Sequence, residues 1–391
     1  MDAFVLACQN LLPVVVTIPA RNEADWIPRC LAALNGQLDG ACFHVVLLVN
    51  NSGDATADIA RGMQPGLSYA LHVLEHEFSP QQQSAGQARH RAMSFAAGLL
   101  PFGGTLLCTD ADGQVAPDWL AANLFHIRQG ADAVAGRAVI DALDAKAIPA
   151  ALHEDDAREC AYTDLLDEID CLLDPDPADP WPRHTEHSGA SICVTLDAYR
   201  RAGGIAPLPV GEDRAFIAAL RRVDARIRHA PDVQVTVSGR IQGRAVGGMA
   251  DTIRRRLLAP DQFLDDALEP AADRARRARL RAEVRRVFHG HGRVTGRLLR
   301  EIGVEAAALG RALRQPRFGM AWAAIEGAAA SLAPVRVPVS ALAVETKRAQ
   351  RLLAGLHQRG LTRSPGQIEA REPGFTLPLG HPSSEMSRMA G

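Results

Sequence analysis

The sequence predicts an α/β protein with a mostly parallel, twisted sheet flanked by helices, followed by a helical C-terminal extension. Over the first 140 residues, short apolar runs rich in β-branched residues alternate with amphipathic helical stretches. This alternation is typical of βαβ units around a parallel core. From about residue 250 the apolar spacing is helical. The length of 391 residues suits one large domain with an appendage.

Composition excludes several classes of protein. Hydrophobic residues make up 47% and charged residues 23% of the chain, which excludes wholesale disorder, collagen and coiled coils. The net charge of −2 argues against a nucleic-acid partner. No apolar run is long enough to predict a transmembrane helix, and the start MDAFVLACQNLL lacks the basic region of a signal peptide. Seven cysteines without a CxxC pair predict reduced thiols in a cytoplasmic protein.

The elements follow in order. The apolar runs predict buried strands at 13–18, 44–49, 69–74, 105–109 and 131–139. Between them we predict a helix with Ile27, Leu31 and Leu34 on one face, a helix from residue 57, a helix over 84–97 capped by Ser84, and a helix over 119–128. Later segments predict a strand at 190–195, a helix at 212–223 and a strand at 233–237.

Charge and proline divide the chain into parts. Residues 151–187 carry 12 acids and 2 arginines and are punctuated by prolines, which indicates a helix followed by a loop. We therefore predict a catalytic domain over 1–248 with this segment as an acceptor-side insertion, a helical Arg/Ala-rich extension over 249–360, and a disordered tail over 361–391.

Polar clusters follow three of the predicted strands. These are PARNE, NNSGDAT and DADG. In parallel sheets, ligands bind outside the carboxyl ends of the strands. The sequence therefore predicts a ligand site at this edge of the sheet.

Two acidic pairs are candidates for chemistry. Asp110 and Asp112 follow a buried strand and could share Mg²⁺ or Mn²⁺, although acids in this place also cap helices. Glu212 and Asp213 open a predicted helix, where acids favour the helix dipole, or where one of them could act as a general base.

Other polar residues have weaker signals. The segment 188–191 (SGAS) could admit an acceptor or form a plain turn, and Arg240 and Arg244 could face a diphosphate or lie in a solvated loop. His187 and His229 are expected to be structural or exposed. Arg274, Arg277 and Arg281 share one helix face, for which solvation is the favoured interpretation. Docking on the acidic segment 154–179, or binding an anionic or membrane-surface acceptor, are the alternatives.

The order of these motifs resembles family 2 glycosyltransferases of the GT-A fold. The similarity runs over residues 12–245, through PARNE, NNSGDAT, SAGQARHRAM, LLCTDADG, HSGASICVTLDAYRRAGG and GEDRAF. It implies a nucleotide-diphosphate-sugar donor, a divalent metal such as Mg²⁺ or Mn²⁺, and transfer with inversion.

The resemblance also implies roles for single residues. A nucleotide-sugar site is implied for Pro19, Ala20, Arg21, Glu23, Asn50, Asn51, Asp54, Gly86, Arg89, Asp110 and Ala111. Asp112, with Asp110, is implied as the metal ligand, Gly189 and Ala190 as the acceptor-side loop, and Asp213 as the base beside Glu212. Asparagines replace the usual leading acids at positions 50 and 51, so the nucleotide base stays open between uridine, guanosine and others. A frequent metal-binding histidine has no counterpart in VTVSGR.

The leading hypothesis is thus a metal-assisted inverting glycosyltransferase acting on a small or lipid-linked hydroxyl acceptor, with peripheral membrane contact left open. One alternative is a catalytically silent nucleotide-sugar sensor or scaffold. A nucleotidyltransferase would need a lysine-containing phosphate loop, and the chain holds only two lysines, Lys146 and Lys347.

Overall fold

The protein is a mixed α/β sheet of eight strands with helices on both faces and a helical C-terminal region. The computed structural model describes residues 13–38, 42–241, 243 and 248–361. The strands are β1 (Val14–Ala20), β2 (Phe43–Asn50), β3 (Ala70–His76), β4 (Thr105–Cys108), β5 (Gln114–Val115), β6 (Ala133–Ile140), β7 (Ile192–Thr195) and β8 (Ile227–Val237). Their order in the sheet is β3-β2-β1-β4-β7-β6-β8-β5.

The helices alternate with the strands as the sequence predicts. Helix α4 (Trp119–Arg128) has the predicted bounds, and α3 (Ala85–Gly98) begins after Ser84, whose hydroxyl accepts a hydrogen bond from the Gln87 amide at 3.2 Å. The helices are α1 (Ile27–Asn35), α2 (Thr56–Met63), α3 (Ala85–Gly98), α4 (Trp119–Arg128), α5 (Ala142–Ala145), α6 (Ala150–Leu173), α7 (Leu196–Arg201), α8 (Glu212–Arg222), α9 (Met249–Leu258), α10 (Ala271–Phe288), α11 (Gly296–Ile302), α12 (Ala306–Leu313), α13 (Phe318–Ala328) and α14 (Leu342–Gln358).

The first half of the sheet is parallel. β1 lies between β2 and β4, with Val16 opposite Val45 on one side and Leu107 on the other. β3 continues the sheet beyond β2 in the same direction. Because β1, β2 and β4 are buried on both faces, they read as continuous apolar runs, which confirms the prediction of these strands. β3 lies at the edge of the sheet and is only partly buried.

The second half of the sheet contains an antiparallel strand that shapes the candidate site. β7 runs antiparallel to both β4 and β6, and Cys108 at the end of β4 pairs with Ile192 at the start of β7. The segment 188–191 therefore reaches the edge where Asp110 and Asp112 follow β4. β8 is longer than the predicted 233–237 and begins at Ile227.

The acidic insertion and the C-terminal extension share a hydrophobic core. Apolar residues of α6 pack with α10 and α14. Arg274 of α10 contacts Asp170 at 2.7 Å, and Arg281 pairs with Asp174. Arg274 and Arg281 are thus docked on the acidic segment, whereas Arg277 pairs with Glu269 and Glu326 instead. The favoured interpretation of a solvated face is therefore wrong. Sequence spacing shows which residues share a face, but it does not show what covers that face.

Some expectations from the sequence need a correction or lie outside the described residues. Cys42 is disulfide-bonded, so the prediction of reduced thiols is wrong there; spacing alone does not show which cysteines meet in space. Among the described residues, five other cysteines are free: Cys30, Cys108, Cys160, Cys171 and Cys193. Within the described ranges, no helix has the length and apolarity to cross a membrane. Arg244 and the tail beyond residue 361 fall outside these ranges.

The extension also packs against the helix that begins with the Glu212–Asp213 pair. Asp224, just after α8, accepts hydrogen bonds from the backbone amides of Phe318 at 2.9 Å and Gly319 at 2.7 Å. Gly319 comes so close to α8 that a β-carbon there would lie 1.9 Å from the carbonyl oxygen of Arg221. The two helices therefore meet at a backbone-to-backbone contact.

Replacement of Gly319 by alanine tests this contact. We expect Gly319→Ala to lower the free energy of unfolding by about 1–3 kcal/mol, because the new methyl group forces the two helices apart. Gly327→Ala, in the same helix, is the matched control, since its β-carbon has nothing within 4 Å. Urea unfolding measures the free energy of unfolding of both variants. An equal change in the two variants would show that α8 and α13 do not meet closely at Gly319.

Candidate active site

The loops after β1 and β2 are joined by hydrogen bonds at the sheet edge. The Asn22 amide donates to Ser52 Oγ at 2.9 Å, and the Gly53 amide donates to Asn22 Oδ1 at 2.8 Å. Asp54 Oδ2 accepts from the Ala24 amide at 3.0 Å. Asp54 thus holds the loop that continues from Pro19, Ala20 and Arg21, so the two polar clusters form one surface.

The two asparagines at the end of β2 have different surroundings. Asn51, with a φ of 46°, donates from Nδ2 to Glu77 Oε2 at 2.7 Å and accepts from the Phe78 amide at 3.1 Å. It therefore holds the chain leaving β3. Asn50 is buried and donates to Asn51 Oδ1 at 3.3 Å.

A cavity of about 200 Å³ lies beside these asparagines. Its lining residues are Val49, Ser52, Glu75, His76 and Glu77. Sequence reasoning missed the polar residues at the end of β3. The parallel pairing of β3 with β2 is the signal that could have found them, because it brings both carboxyl ends to the same edge.

A buried arginine connects the two acidic pairs. Arg89 on α3 is 5% exposed; its Nη2 lies 2.5 Å from Asp110 Oδ1, and its Nη1 pairs with Glu212. Burial disfavours its charge, but Asp110, Cys108 and Asp213 outweigh this effect and raise the pKa of Arg89. Arg89 therefore stays charged and bridges the end of β4 to the start of α8.

Two glycines make room for this bridge. A β-carbon on Gly189 would lie 2.4 Å from Cζ of Arg89, and one on Gly86 would lie 1.9 Å from the Leu208 carbonyl oxygen. Larger residues at either place would displace the arginine or the chain that leads into α8. Ala190, next to Gly189, is buried.

A second arginine lies between two acidic groups. Arg240 contacts both oxygens of Glu23, at 2.8 and 2.9 Å, and its Nη2 lies 3.1 Å from Asp112 Oδ2. Burial and the nearby carboxylates of Asp110 and Glu23 raise the pKa of Asp112 to about 6, although Arg240 opposes this shift. Negative charge at Asp112 is therefore incompletely balanced by the protein.

These donors fit a hard divalent cation. Asp110 and Asp112 offer carboxylate oxygens, the ligands that Mg²⁺ and Mn²⁺ prefer, and the raised pKa of Asp112 marks an excess of negative charge that a cation relieves. In the part of the chain that the structure describes, no set of three or more histidine, cysteine, aspartate or glutamate side chains could hold a metal. Such a cation would need further oxygens from water and from a substrate.

In the second acidic pair, the carboxylate of Glu212 is buried and that of Asp213 is accessible. Glu212 is 6% exposed and paired with Arg89. Asp213 is half-buried; its Oδ2 accepts from the Gly189 amide at 3.1 Å and its Oδ1 from the Arg214 amide at 2.7 Å. The structure thus places Asp213, and not Glu212, where a substrate could reach it.

Replacement of Asp112 tests the excess of negative charge. Its unfolded-state pKa is 3.8, so ionisation of Asp112 destabilises the fold progressively from about pH 4 to pH 6, and this cost is complete at neutral pH. We expect Asp112→Asn to raise the free energy of unfolding by about 1–3 kcal/mol at pH 7.5, with no gain near pH 4. Asp118→Asn, at an exposed position, is the control for urea unfolding at both pH values. An unchanged free energy of unfolding of Asp112→Asn at pH 7.5 would contradict an excess of negative charge at Asp112.

Comparisons with solved structures return glycosyltransferases at low sequence identity. The mannosyltransferase PcManGT from Pyrobaculum calidifontis, in complex with GDP-mannose and Mn²⁺, is 19% identical, with 91% of this chain and 82% of that chain covered and a TM-score of 0.41. TarS 1–349 from S. aureus, in complex with UDP-GlcNAc, is 15% identical, with 94% and 99% covered and a TM-score of 0.44. Glucosyl-3-phosphoglycerate synthase from Mycobacterium tuberculosis, in complex with Mn²⁺, UDP-glucose and phosphoglyceric acid, is 15% identical, with 67% and 85% covered and a TM-score of 0.37.

A family model also matches part of the sequence. No curated protein matches the chain. The family model described as Glycosyl transferase family 2 matches residues 15–164, which include β1 to β4 and the Asp110–Asp112 pair. This part of the chain is therefore similar to glycosyltransferases of family 2, and it contributes strands β1 to β6 of the mixed α/β sheet.

Proposed function

We propose that the protein transfers a sugar, with inversion, from a nucleotide-diphosphate sugar to an acceptor hydroxyl, assisted by Mg²⁺ or Mn²⁺ and with Asp213 as the general base. The observation that carries this proposal is the bridge of Arg89 between Asp110 and Glu212. It holds the donor-side carboxylates and the proposed base at one edge of the sheet. An acceptor bound there would meet the base and the donor together.

On the donor side, Asp112 and Asp110 would hold the divalent cation. When bound, the metal supplies positive charge that stabilises the departing diphosphate. Arg240 adds a permanent cation beside Asp112, at 3.1 Å. The loops of Glu23 and Asp54 and the cavity beside Asn50 and Asn51 would hold the nucleoside, whose base stays open.

On the acceptor side, the surroundings of Asp213 suit a general base. Two backbone amides, from Gly189 and Arg214, each donate to one of its oxygens, which fixes the orientation of the carboxylate. Each oxygen keeps a lone pair that can accept the proton of an acceptor hydroxyl. The hydroxyl oxygen then attacks the anomeric carbon from the face opposite the departing diphosphate, which inverts the configuration. Gly189 and Ala190 would line the approach of the acceptor.

Donor binding is the first test of this function. We expect one of the UDP-, GDP-, ADP- or dTDP-sugars to raise the midpoint of thermal unfolding in the presence of Mn²⁺, because a ligand that binds only the folded state stabilises it. At a hundredfold excess over Kd the gain is about 2.7 kcal/mol. Asp112→Ala should abolish the Mn²⁺-dependent shift, with Asp118→Ala as control. No shift with any donor, with or without metal, would argue for the silent scaffold.

The base assignment has its own test. We expect Asp213→Asn to lower kcat by about 10²–10⁴-fold while donor affinity stays unchanged, because the amide keeps the shape but does not accept the proton. Release of nucleoside diphosphate measures turnover, and the thermal shift measures donor binding. Asp118→Asn should transfer sugar at the wild-type rate. Normal turnover of Asp213→Asn would show that another group takes the proton.

A further inference from the structure

An exposed arginine, Arg221, lies on the same helix as the proposed base. It follows Asp213 by eight residues, or about 12 Å. The Nη2 of Arg221 lies 3.3 Å from Nε2 of His187. His187 is only two residues before Gly189, whose amide binds Asp213. Arg221 therefore contacts the segment that leads into the acceptor side of the site.

Arg221 differs from the arginines around it in having no acidic partner. In the described ranges, no carboxylate oxygen lies within 4.0 Å of its guanidinium. His187, whose Nε2 lies 3.3 Å from Nη2 of Arg221, is neutral because burial and Arg221 itself lower the pKa of His187. The surrounding arginines all pair with aspartates: Arg183 and Arg228 with Asp179, Arg274 with Asp170, and Arg281 and Arg285 with Asp174.

The electrostatic surroundings of Arg221 are unfavourable for a cation. Desolvation and the charges of Arg281, Arg183 and Arg274 lower the pKa of Arg221 to about 10. Arg221 is solvent-exposed, so an ion from solution can reach its side chain. An exposed group of neighbouring positive charges attracts an anion.

Buried polar atoms without partners lie in the same cluster. His229 is 3% exposed; its Nδ1 binds Asp179 Oδ2 at 2.7 Å, and its Nε2 has no hydrogen-bond partner among the described residues. Its ring centroid lies 5.4 Å from that of His187. Nε2 of His184 and Nε of Arg183 and Arg274 are also buried without a hydrogen-bond partner among the described residues. Buried polar groups are rarely left unsatisfied, so this concentration points to a missing ligand.

We propose that the surface around Arg221 binds a phosphate group carried by the acceptor substrate. Two phosphate oxygens can each accept a hydrogen bond from one guanidinium, and such charge-assisted bonds are stronger than bonds between neutral groups. His187, which is half-buried beside Arg221, offers a further polar contact. With its phosphate at Arg221, the acceptor would have to span about 12 Å along the helix to bring its hydroxyl to Asp213. This inference rests on the proposed function, because it names the acceptor of that same site.

Phosphate binding by Arg221 variants tests the proposal. The probe is inorganic phosphate, titrated into the full chain by isothermal calorimetry and followed by thermal unfolding. We expect Arg221→Gln to weaken phosphate binding at least tenfold and Arg221→Lys to retain part of it, because lysine keeps the charge but not the fork. Arg222→Gln, the exposed neighbour on the same helix, should bind phosphate as the wild type does. Equal phosphate affinity in Arg221→Gln and wild type, or no phosphate binding by the wild type, would overturn the proposal.

Two further measurements distinguish loss of phosphate binding at Arg221 from phosphate binding at another site and from misfolding of the variant. Phosphate bound on the donor side would depend on Arg240, so a loss in Arg240→Gln without a loss in Arg221→Gln also overturns the proposal. Arg221→Gln removes a repelled charge, so we expect its midpoint of thermal unfolding without phosphate to be no lower than that of the wild type. A lost phosphate response in a variant of normal stability therefore reports the site itself.

Two more experiments identify the source of the phosphate and distinguish failure of this inference from failure of the proposed function. Sedimentation with phosphatidic-acid vesicles that depends on Arg221 would identify a lipid-borne phosphate, whereas phosphate binding in solution without sedimentation would identify a soluble ester. Donor binding with Mn²⁺ should be unchanged in Arg221→Gln. If phosphate binds through Arg221 but no donor binds, the proposed function fails while the anion site stands; the reverse result overturns only the acceptor inference.

Discussion

The ion pairs of Arg89 are the interaction on which the site depends. One guanidinium contacts Asp110 after β4 and Glu212 at the start of α8, and it is almost wholly buried. A buried charge that loses its partner is strongly destabilising, so the three groups fix one another. Gly189 and Gly86 are small because any side chain there would collide with this bridge or with the chain beside it.

The antiparallel strand β7 determines which segments meet at the bridge. In a fully parallel sheet the residues before a strand lie at the edge opposite to the residues after its neighbours. Because β7 runs against β4, the segment before β7 joins the loop after β4. The Gly189 amide can therefore hold Asp213 while Arg89 holds Asp110. Donor-side and acceptor-side residues share one edge as a consequence of this single reversal.

Much of the fold followed from local patterns, whereas the pairing of charges did not. Continuous apolar runs located β1, β2 and β4 within one or two residues, and the bounds of α4 agree. The motifs after β1, β2 and β4 also lie together at one edge of the sheet, as their positions after parallel strands predict. Glu212 and Asp213, however, are adjacent acids at a helix start, and nothing local shows that the first faces a buried arginine while the second faces an accessible surface.

Ion pairs between residues that are distant in sequence could not be predicted either, because local patterns do not show which segments meet in the fold. Arg240 and Glu23 are 217 residues apart, and Arg281 and Asp174 are 107 residues apart. Charge periodicity on α10 showed a single face, but the acids that cover it come from a distant segment. The cavity residues after β3 were missed because the register between β2 and β3 is a property of the assembled sheet.

The charges around Arg221 connect folding of the extension to the acceptor side of the site. They come from α8, from the loop after α6, and from α10, whose arginines are held by acids of α6 and of the loop that follows it. These pairs bring like charges close to Arg221, which opposes folding. An anion bound at Arg221 would offset that repulsion and so stabilise the packing of α10 on α6 by mass action. The acidic insertion then has a physical role beyond solvation, because without its carboxylates the arginines of α10 would repel one another and Arg221.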